Sequence, residues 1–116
     1  MAAPSNEAGD DGAIVVVALL KIKPGQSDDA IEAFRPVIEN THRERGCLSY
    51  ALHRDQSDPD MIVLIEKWAS QDDLDTHFIQ PYVADLGELS AKLLAEPPRI
   101  LFCEPIDMGD PDKGSI

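Results

Sequence analysis

The sequence predicts an α+β domain whose elements follow the order strand, helix, strand, strand, helix, strand. Two observations support this order: four short runs that are β-branched or alternate apolar with polar residues, and longer segments between them with apolar residues at helical spacing. The order is the split βαβ arrangement of ferredoxin-like folds, an antiparallel sheet with helices on one face. We expect one such domain over residues 13–106, flanked by tails at 1–12 and 107–116 whose composition predicts disorder.

The first strand and first helix are predicted from residues 13–45. The β-branched run "AIVVVALLKI" at 13–22 is ended by the turn "KPGQ". The helix that follows is expected to be capped by Ser27, with Asp28 and Asp29 at the positive end of its dipole, and to end before Gly46. Its predicted apolar face consists of Ile31, Phe34, Val37, Ile38 and Thr41.

Two strands are then predicted to form a hairpin. "CLSYALHR" at 47–54 alternates apolar with polar residues, and "MIVLIEKW" at 61–68 is a second β-branched run. The polar segment "DQSDPD" between them is the predicted connection.

The last part of the domain is predicted to hold two helical segments and a strand. Ser70 and Asp73 have the spacing of a capping box and open a short helix that ends at Phe78, and Pro81 begins a second helix. The final strand is "RILFCEP" at 99–105. The buried stripe expected on the second of these helices is Tyr82, Leu86, Leu89, Leu93 and Leu94.

Both faces of the sheet are expected to be covered. Residues 14–20 and 61–65 are apolar at every position, whereas a sheet with one face in water alternates apolar with polar residues. The helices can cover only one face, so the sheet of a second copy is the simplest cover for the other, which predicts an isologous homodimer. The alternative is that some valines on this face are simply exposed.

Composition restricts the partners of the chain. With 22 acidic and 10 basic residues the net charge is -12, which repels phosphate backbones and anionic membrane surfaces, so neither nucleic acid nor a membrane is expected as a partner. The longest apolar run, at 13–20, is too short to span a bilayer, and residues 1–12 lack the pattern of a secretory signal, so the cytoplasm is the expected location. Cys47 and Cys103 are expected to pack as small hydrophobic residues, with a disulfide or a reactive thiol as the alternative.

The stretch "IEKWASQDDLDTH" holds the main candidate site. Glu66 and Trp68 lie two apart on one strand and therefore share a face, and His77 lies on the next helix, from which its imidazole can reach them. Together they predict a half-apolar pocket with a base, a flat aromatic wall and a carboxylate. The alternative is structural: a core tryptophan, a histidine that caps a helix end, and a Glu66 that pairs with Arg54 or Arg99.

Four features of the sequence together resemble the antibiotic biosynthesis monooxygenase family, which includes small quinol monooxygenases. They are the "KPG" turn, the stretch "RGCLSY" that opens the second strand, the Glu-x-Trp of the third strand, and the histidine that follows it; the resemblance covers residues 14–105. It implies a dimeric α+β barrel that oxygenates electron-rich phenols, anthrones or quinols without flavin, haem or metal. Relatives that act on anthrones or haem have an asparagine early in the first strand, where this chain has only aliphatic residues, which argues against those two activities.

The resemblance also implies roles for individual residues. His77 would be the base or hydrogen-bond donor, Trp68 would stack on the substrate ring, and Glu66 would orient His77. Tyr50 and Phe78 would line the pocket. Many relatives have an acidic residue directly before the Pro-Gly or Gly that opens the second strand; here the stretch reads "RERGC", and a role for the displaced Glu44 would be structural.

No cofactor and no metal are expected. The sequence contains no GxGxxG motif, no phosphate-binding loop and no histidine pair at ligand spacing. The predicted function is therefore cofactor-independent oxidation of a small aromatic quinol or polyphenol with molecular oxygen. Two alternatives remain: a non-catalytic dimer that binds a small aromatic metabolite, and an isomerase or cyclase of the same fold.

Overall fold

The protein folds into a four-stranded antiparallel sheet with three helices on one face. The computed structural model describes residues 12–116, so the disorder predicted for the N-terminal tail concerns residues that, apart from Gly12, lie outside the described residues. The strand order β2-β3-β1-β4 confirms the predicted ferredoxin-like fold. The elements are β1 (Ile14–Lys21), α1 (Ser27–His42), β2 (Cys47–Asp55), β3 (Asp58–Trp68), α2 (Gln71–Phe78), α3 (Pro81–Leu93) and β4 (Arg99–Cys103).

The central strands β1 and β3 carry the core. Side chains alternate between the two faces of a strand, so every second residue of β1 and β3 lies under the helices. Val16 pairs with Glu66, and Ile14 pairs with Trp68, which sets the register of the two strands. The side chains between them, on the face away from the helices, are only half-buried: Val15, Val17, Leu19, Met61, Val63 and Ile65.

Helix α1 covers the middle of the sheet through Ala30, Phe34 and Val37, which are buried. The cap predicted for this helix is wrong. Ser27 is already its first helical residue, and the preceding residue, Gln26, makes no side-chain capping hydrogen bond. The helix begins without such a cap. The carboxylates of Asp28 and Asp29 in its first turn stabilise the positive end of the helix dipole instead.

The predicted hairpin of β2 and β3 is confirmed, but its connection is shorter than expected. Only residues 56 and 57 form the turn, and β3 begins at Asp58. Asp55 pairs with Asp58 while Arg54 pairs with Ile62, so residues 59–61 are inserted into one strand as an irregularity. Pro59 lies in this insertion, where the lack of a backbone N–H breaks no ladder hydrogen bond.

Helices α2 and α3 differ in how tightly they pack. The predicted capping of α2 is confirmed: Ser70 Oγ accepts a hydrogen bond from Asp73 N at 3.1 Å and donates one to Asp73 Oδ2 at 2.8 Å. Helix α3 begins at Pro81 as predicted but has no fully buried residue, so the expected buried stripe is only half-buried. The reason is a cavity between α3 and the sheet, described below.

The last ten residues form turns without helix or strand. Lys67 Nζ donates a hydrogen bond to Ser115 Oγ at 2.9 Å, which holds the end of the chain near β3. The disorder expected for residues 107–116 in solution stays a prediction. Among residues 12–116, every helix is too short or too polar to cross a bilayer.

Candidate active site

Glu66 and Trp68 are joined by a hydrogen bond on the helix-covered face of β3. The indole Nε1–H of Trp68 donates to Glu66 Oε1 at 2.9 Å. Trp68 is fully buried and Glu66 is 6 % exposed. The pairing follows from the strand period, because residues two apart project from the same face and lie close enough for the long indole to reach the carboxylate. A buried carboxylate needs such a donor.

His77 lies at the centre of a group of rings that we call the aromatic cluster. Its ring centroid is 4.5 Å from that of Trp68 and 5.5 Å from that of Tyr50, and the histidine is 2 % exposed. Helix α2 produces this contact because its N-cap, Ser70, comes only two residues after β3 ends, which turns the chain back over the strand. Besides these three residues, the aromatic cluster contains Phe78 and Tyr82, 5.7 and 6.5 Å from His77.

The carboxylate that holds His77 is Glu44, not Glu66 as expected. Glu44 Oε2 lies 2.7 Å from His77 Nδ1 and accepts a second hydrogen bond from Tyr82 Oη at 2.5 Å. Glu44 follows α1, so one carboxylate ties the turn before β2 to both later helices. Glu66 Oε1 instead accepts the hydrogen bond from Trp68.

A cavity of about 600 Å³ lies next to this group, between the sheet and α3. Its wall is largely apolar, and Glu66 is the buried charged residue in it. The volume is within the range of about 300–1,000 Å³ typical of small-molecule sites. The cavity is lined from the sheet by Ala18, Leu20, Leu64, Glu66 and Ile100, from α1 by Phe34, and from α3 and the segment after it by Leu86, Gly87, Ser90, Ala91 and residues 94–98.

The structure brings the predicted site residues together but gives them unequal access to the cavity. Of the five, Glu66 lines the cavity wall, whereas Trp68, His77 and Tyr50 are buried behind it. Phe78 is 48 % exposed, and the centroid of its ring lies 6.3 Å from that of Phe102. Access differs because His77 and Phe78 belong to α2, while the cavity lies under α3.

Burial determines the protonation chemistry of the site. It raises the pKa of the Glu66 carboxyl, an effect that the hydrogen bond from Trp68 and the charge of His77 partly oppose. Burial also raises the pKa of Tyr50, so its phenol stays protonated at neutral pH. Burial likewise raises the pKa of the Cys47 thiol to about 11, which disfavours the thiolate, and both cysteines are free.

Most of the candidate site lies in the part of the chain that matches a known family. Residues 13–88 match the family model for antibiotic biosynthesis monooxygenase. The chain belongs to the antibiotic biosynthesis monooxygenase family. This confirms the resemblance found in the sequence. The matched residues include Glu44, Glu66, Trp68 and His77, whereas the cavity wall from residue 89 onward lies outside them.

Individual proteins and solved structures resemble the chain. The chain is 35% identical over 92 residues to the uncharacterized protein sll1783 of Synechocystis. The aligned region covers 79% of this chain and 63% of that protein. A crystal structure of an antibiotic biosynthesis monooxygenase superimposes with a TM-score of 0.74 at 29% identity, over 80% of this chain and 98% of that one. Rv0793 of Mycobacterium tuberculosis has the same fold, with a TM-score of 0.78 at 24% identity over 85% and 100% of the two chains.

Two residues of the candidate site are not predicted from the sequence. Glu44 was given at most a structural role, and Tyr82 was interpreted only as part of a core stripe. The cavity itself had a signal: Gly87, Ser90 and Ala91 are small residues beside the stripe predicted for this helix, and small side chains there leave space. Among residues 12–116, no group of three or more His, Cys, Asp or Glu side chains is arranged to hold a metal ion.

Proposed function

We propose that this member of the family is a cofactor-independent monooxygenase that oxidises a small electron-rich aromatic, a quinol or polyphenol, with molecular oxygen. The observation that carries the proposal is the cavity of about 600 Å³ with an apolar wall and one buried carboxylate, Glu66. An apolar wall lowers the polarity around an anionic intermediate, and burial raises the pKa of the Glu66 carboxyl, which makes it a stronger base.

The reaction takes its electrons from the substrate. A base removes a phenolic proton, the resulting anion passes one electron to oxygen, and the radical pair combines to form a carbon–oxygen bond. Loss of water from the peroxide then leaves one oxygen atom on the ring and the second in the water. For a hydroquinone the products are a hydroxyquinone and one water, so atoms and electrons balance without a further reductant.

Glu66 is the favoured proton acceptor because it lines the cavity. Its Oε1 is held by Trp68, and no hydrogen bond from residues 12–116 reaches its Oε2, which remains available to a substrate hydroxyl. The same carboxyl can return the proton when the peroxide loses water. His77, first expected to be the base, is proposed to act through charge, since it lowers the pKa of Glu66 from behind the cavity wall.

The remaining predicted site residues are assigned to support of these two. Trp68 has no exposed ring face, so we assign it to holding Glu66 and not to stacking on the substrate. Tyr50 and Phe78 pack on the His77 ring and fix its position.

We also propose that the protein is a homodimer through the outer face of its sheet. Half-buried apolar side chains of β1 and β3 form this face without a helix over it, as in the barrels implied by the family. A second sheet packed against it would remove these side chains from water at about 25 cal/mol per Å². The face is defined by Val15, Val17, Leu19, Met61, Val63 and Ile65.

Oxygen consumption tests the proposed reaction. Chelator-treated protein is mixed with a panel of reduced quinones and polyphenols, oxygen uptake is followed, and the product is examined by mass spectrometry under ¹⁸O₂. We expect uptake with incorporation of one labelled atom, and a loss of about 10²–10⁴-fold in kcat/KM in Glu66→Gln. Glu88→Gln is the matched control, because Glu88 is exposed on α3 and outside the cavity wall.

Three results would contradict the proposal. Saturable binding of the whole panel without oxygen uptake identifies a binding protein, and product formation without uptake identifies an isomerase or cyclase. Full activity in Glu66→Gln combined with loss in His77→Ala returns the role of base to His77.

A further inference from the structure

We propose that the cavity accepts uncharged or cationic aromatic molecules and rejects those that carry a carboxylate or sulfonate. The inference rests on the proposed function in that it concerns the same site, and it defines the substrate class by charge. It comes from the residues that form the cavity wall and from the groups that surround its opening.

The charged residues in the cavity wall are all acidic. Among the lining residues, which all lie within the described part of the chain, Glu66 and Glu96 are the ionisable ones, and none is lysine, arginine or histidine. Glu66 is buried in the wall, and Glu96 is exposed at the opening. An anionic molecule would therefore pass one carboxylate and come to rest beside another.

Two basic residues near the opening, Lys21 and Arg99, are directed away from the cavity. The ammonium group of Lys21 is paired with Asp58, which is the main reason that the pKa of Lys21 is raised. Glu96 lies close enough to contribute to this shift. Arg99 pairs in register with Leu19, on the face of the sheet away from the cavity. Neither side chain lines the cavity, so neither neutralises a bound anion there.

The backbone holds Glu96 at the opening. Ala95 N donates a hydrogen bond to Lys21 O at 2.8 Å, and Leu94 forms a bridge with Ile22, which fastens this segment to the end of β1. Residues 97 and 98 are prolines, whose rings fix φ. The position of this carboxylate therefore follows from the chain path and not from a mobile loop.

The physical consequence is discrimination by desolvation. An anion that enters an apolar chamber loses its hydration and finds no counter-charge to replace it, which is a large cost. A phenol loses little and can donate its hydroxyl hydrogen to Glu66. An ammonium group can pair with the same carboxylate, so the wall tolerates positive charge.

Calorimetric titration with three matched probes tests the proposal without requiring turnover. At pH 7, 2-naphthol is neutral, 2-naphthoate is anionic and 2-naphthylmethylammonium is cationic, and all share one ring system. We expect 2-naphthoate to bind at least about a hundredfold more weakly than 2-naphthol, and the ammonium probe to bind no more weakly than 2-naphthol.

A charge reversal at the opening separates local from overall electrostatics. Glu96→Arg should narrow the difference between 2-naphthoate and 2-naphthol by about tenfold, while Glu88→Arg, which changes the net charge equally at a position outside the cavity, should leave it in place. An equal effect of both substitutions means that net charge, and not the wall, discriminates.

The outcomes distinguish this inference from the proposed reaction. Equal or tighter binding of 2-naphthoate, or no binding of any probe, overturns the inference whether or not oxygen is consumed. Charge-selective binding in a protein that consumes no oxygen with any quinol supports the inference and overturns the reaction.

Discussion

The indole N–H of Trp68 donates to Oε1 of Glu66 at 2.9 Å, between two side chains that are almost wholly buried. This hydrogen bond connects the aromatic cluster to the cavity, because Trp68 contacts the His77 ring and Glu66 lines the cavity wall. A change at either residue should therefore alter both the stability of the fold and the proton chemistry of the proposed reaction.

Trp68→Phe should move the acidic limb of the kcat/KM profile to higher pH. The hydrogen bond from Trp68 lowers the pKa of Glu66, so its loss raises that pKa and leaves less of the carboxylate form at a given pH. Ile62→Val, another truncation of a buried β3 residue, is the control and should leave the limb in place. A limb that stays put, or moves to lower pH, in Trp68→Phe would show that this hydrogen bond does not tune the base.

Glu66→Gln should become more stable relative to wild type as pH rises from 4 to 8. The folded protein holds the Glu66 proton more tightly than the unfolded chain, since burial raises this pKa above its value of 4.5. Below pH 4.5 both states are protonated and the carboxylate costs nothing. As the pH rises above 4.5 and through the raised pKa of the folded state, the wild type loses stability. The total loss is about 1.4 kcal/mol for each tenfold difference in proton affinity between the folded and unfolded states.

Urea denaturation of wild type and Glu66→Gln across this pH range measures that difference. Glu88→Gln, at an exposed position, is the matched control for the loss of one carboxyl group. A constant difference between wild type and Glu66→Gln at all pH values would mean that folding does not shift this group.

Glu44→Ala should lower the free energy of unfolding by about 2–3 kcal/mol, because it leaves His77 Nδ1 and Tyr82 Oη without their shared partner in a buried site. Tyr82→Phe, which removes one of the two hydrogen bonds, should cost about 1 kcal/mol. In the double variant the Tyr82 substitution should cost less than it does alone, as expected for residues in direct contact. Additive costs in this cycle would argue against a shared carboxylate.

Gly46→Ala should destabilise the protein by about 1–3 kcal/mol. A Cβ atom at this position would lie 2.1 Å from Asp73 Cγ, so the side chain that completes the cap of α2 with Ser70 must move. Gly87→Ala is the matched control, since a Cβ there meets nothing within 4 Å and alanine favours a helix by about 0.5–1 kcal/mol. The midpoint temperature of thermal unfolding should therefore fall in Gly46→Ala and rise in Gly87→Ala.

Val17→Asp should convert the proposed dimer into a monomer. The side chain of Val17 lies on the outer face of β1, and a carboxylate placed there would be buried without a partner between two sheets. Ala84→Asp, at an exposed position of α3, is the control for added charge. Light scattering after size exclusion measures the mass, and a wild-type protein that elutes as a monomer would contradict the dimer.

The sequence was sufficient to predict the fold because local patterns and long-range packing agree. The β-branched runs of β1 and β3, the capping pair Ser70 and Asp73, and the proline that opens α3 each depend on near neighbours in the chain, and each is found where expected. The prediction that Ser27 caps α1 was wrong. Asp28 and Asp29 stabilise the positive end of the helix dipole, and this interaction does not need a side-chain cap.

The candidate site was only partly predictable for a physical reason. Glu66, Trp68 and His77 lie within 12 residues of one another, so strand period and a short connection place them together. The hydrogen bond between Glu44 and His77 spans 33 positions and depends on how α1 returns to the sheet. No pattern along the chain measures the space left between two packed layers, so the cavity under α3 is apparent only in the folded structure.

The loose packing of α3 has a consequence for how this protein can change. Since the helix has no fully buried residue, exchange of the side chains that it presents to the cavity costs the hydrophobic core little. Mutation can therefore reshape the chamber for another molecule while β1 and β3 preserve the scaffold, and divergence between paralogues should concentrate on this one helix.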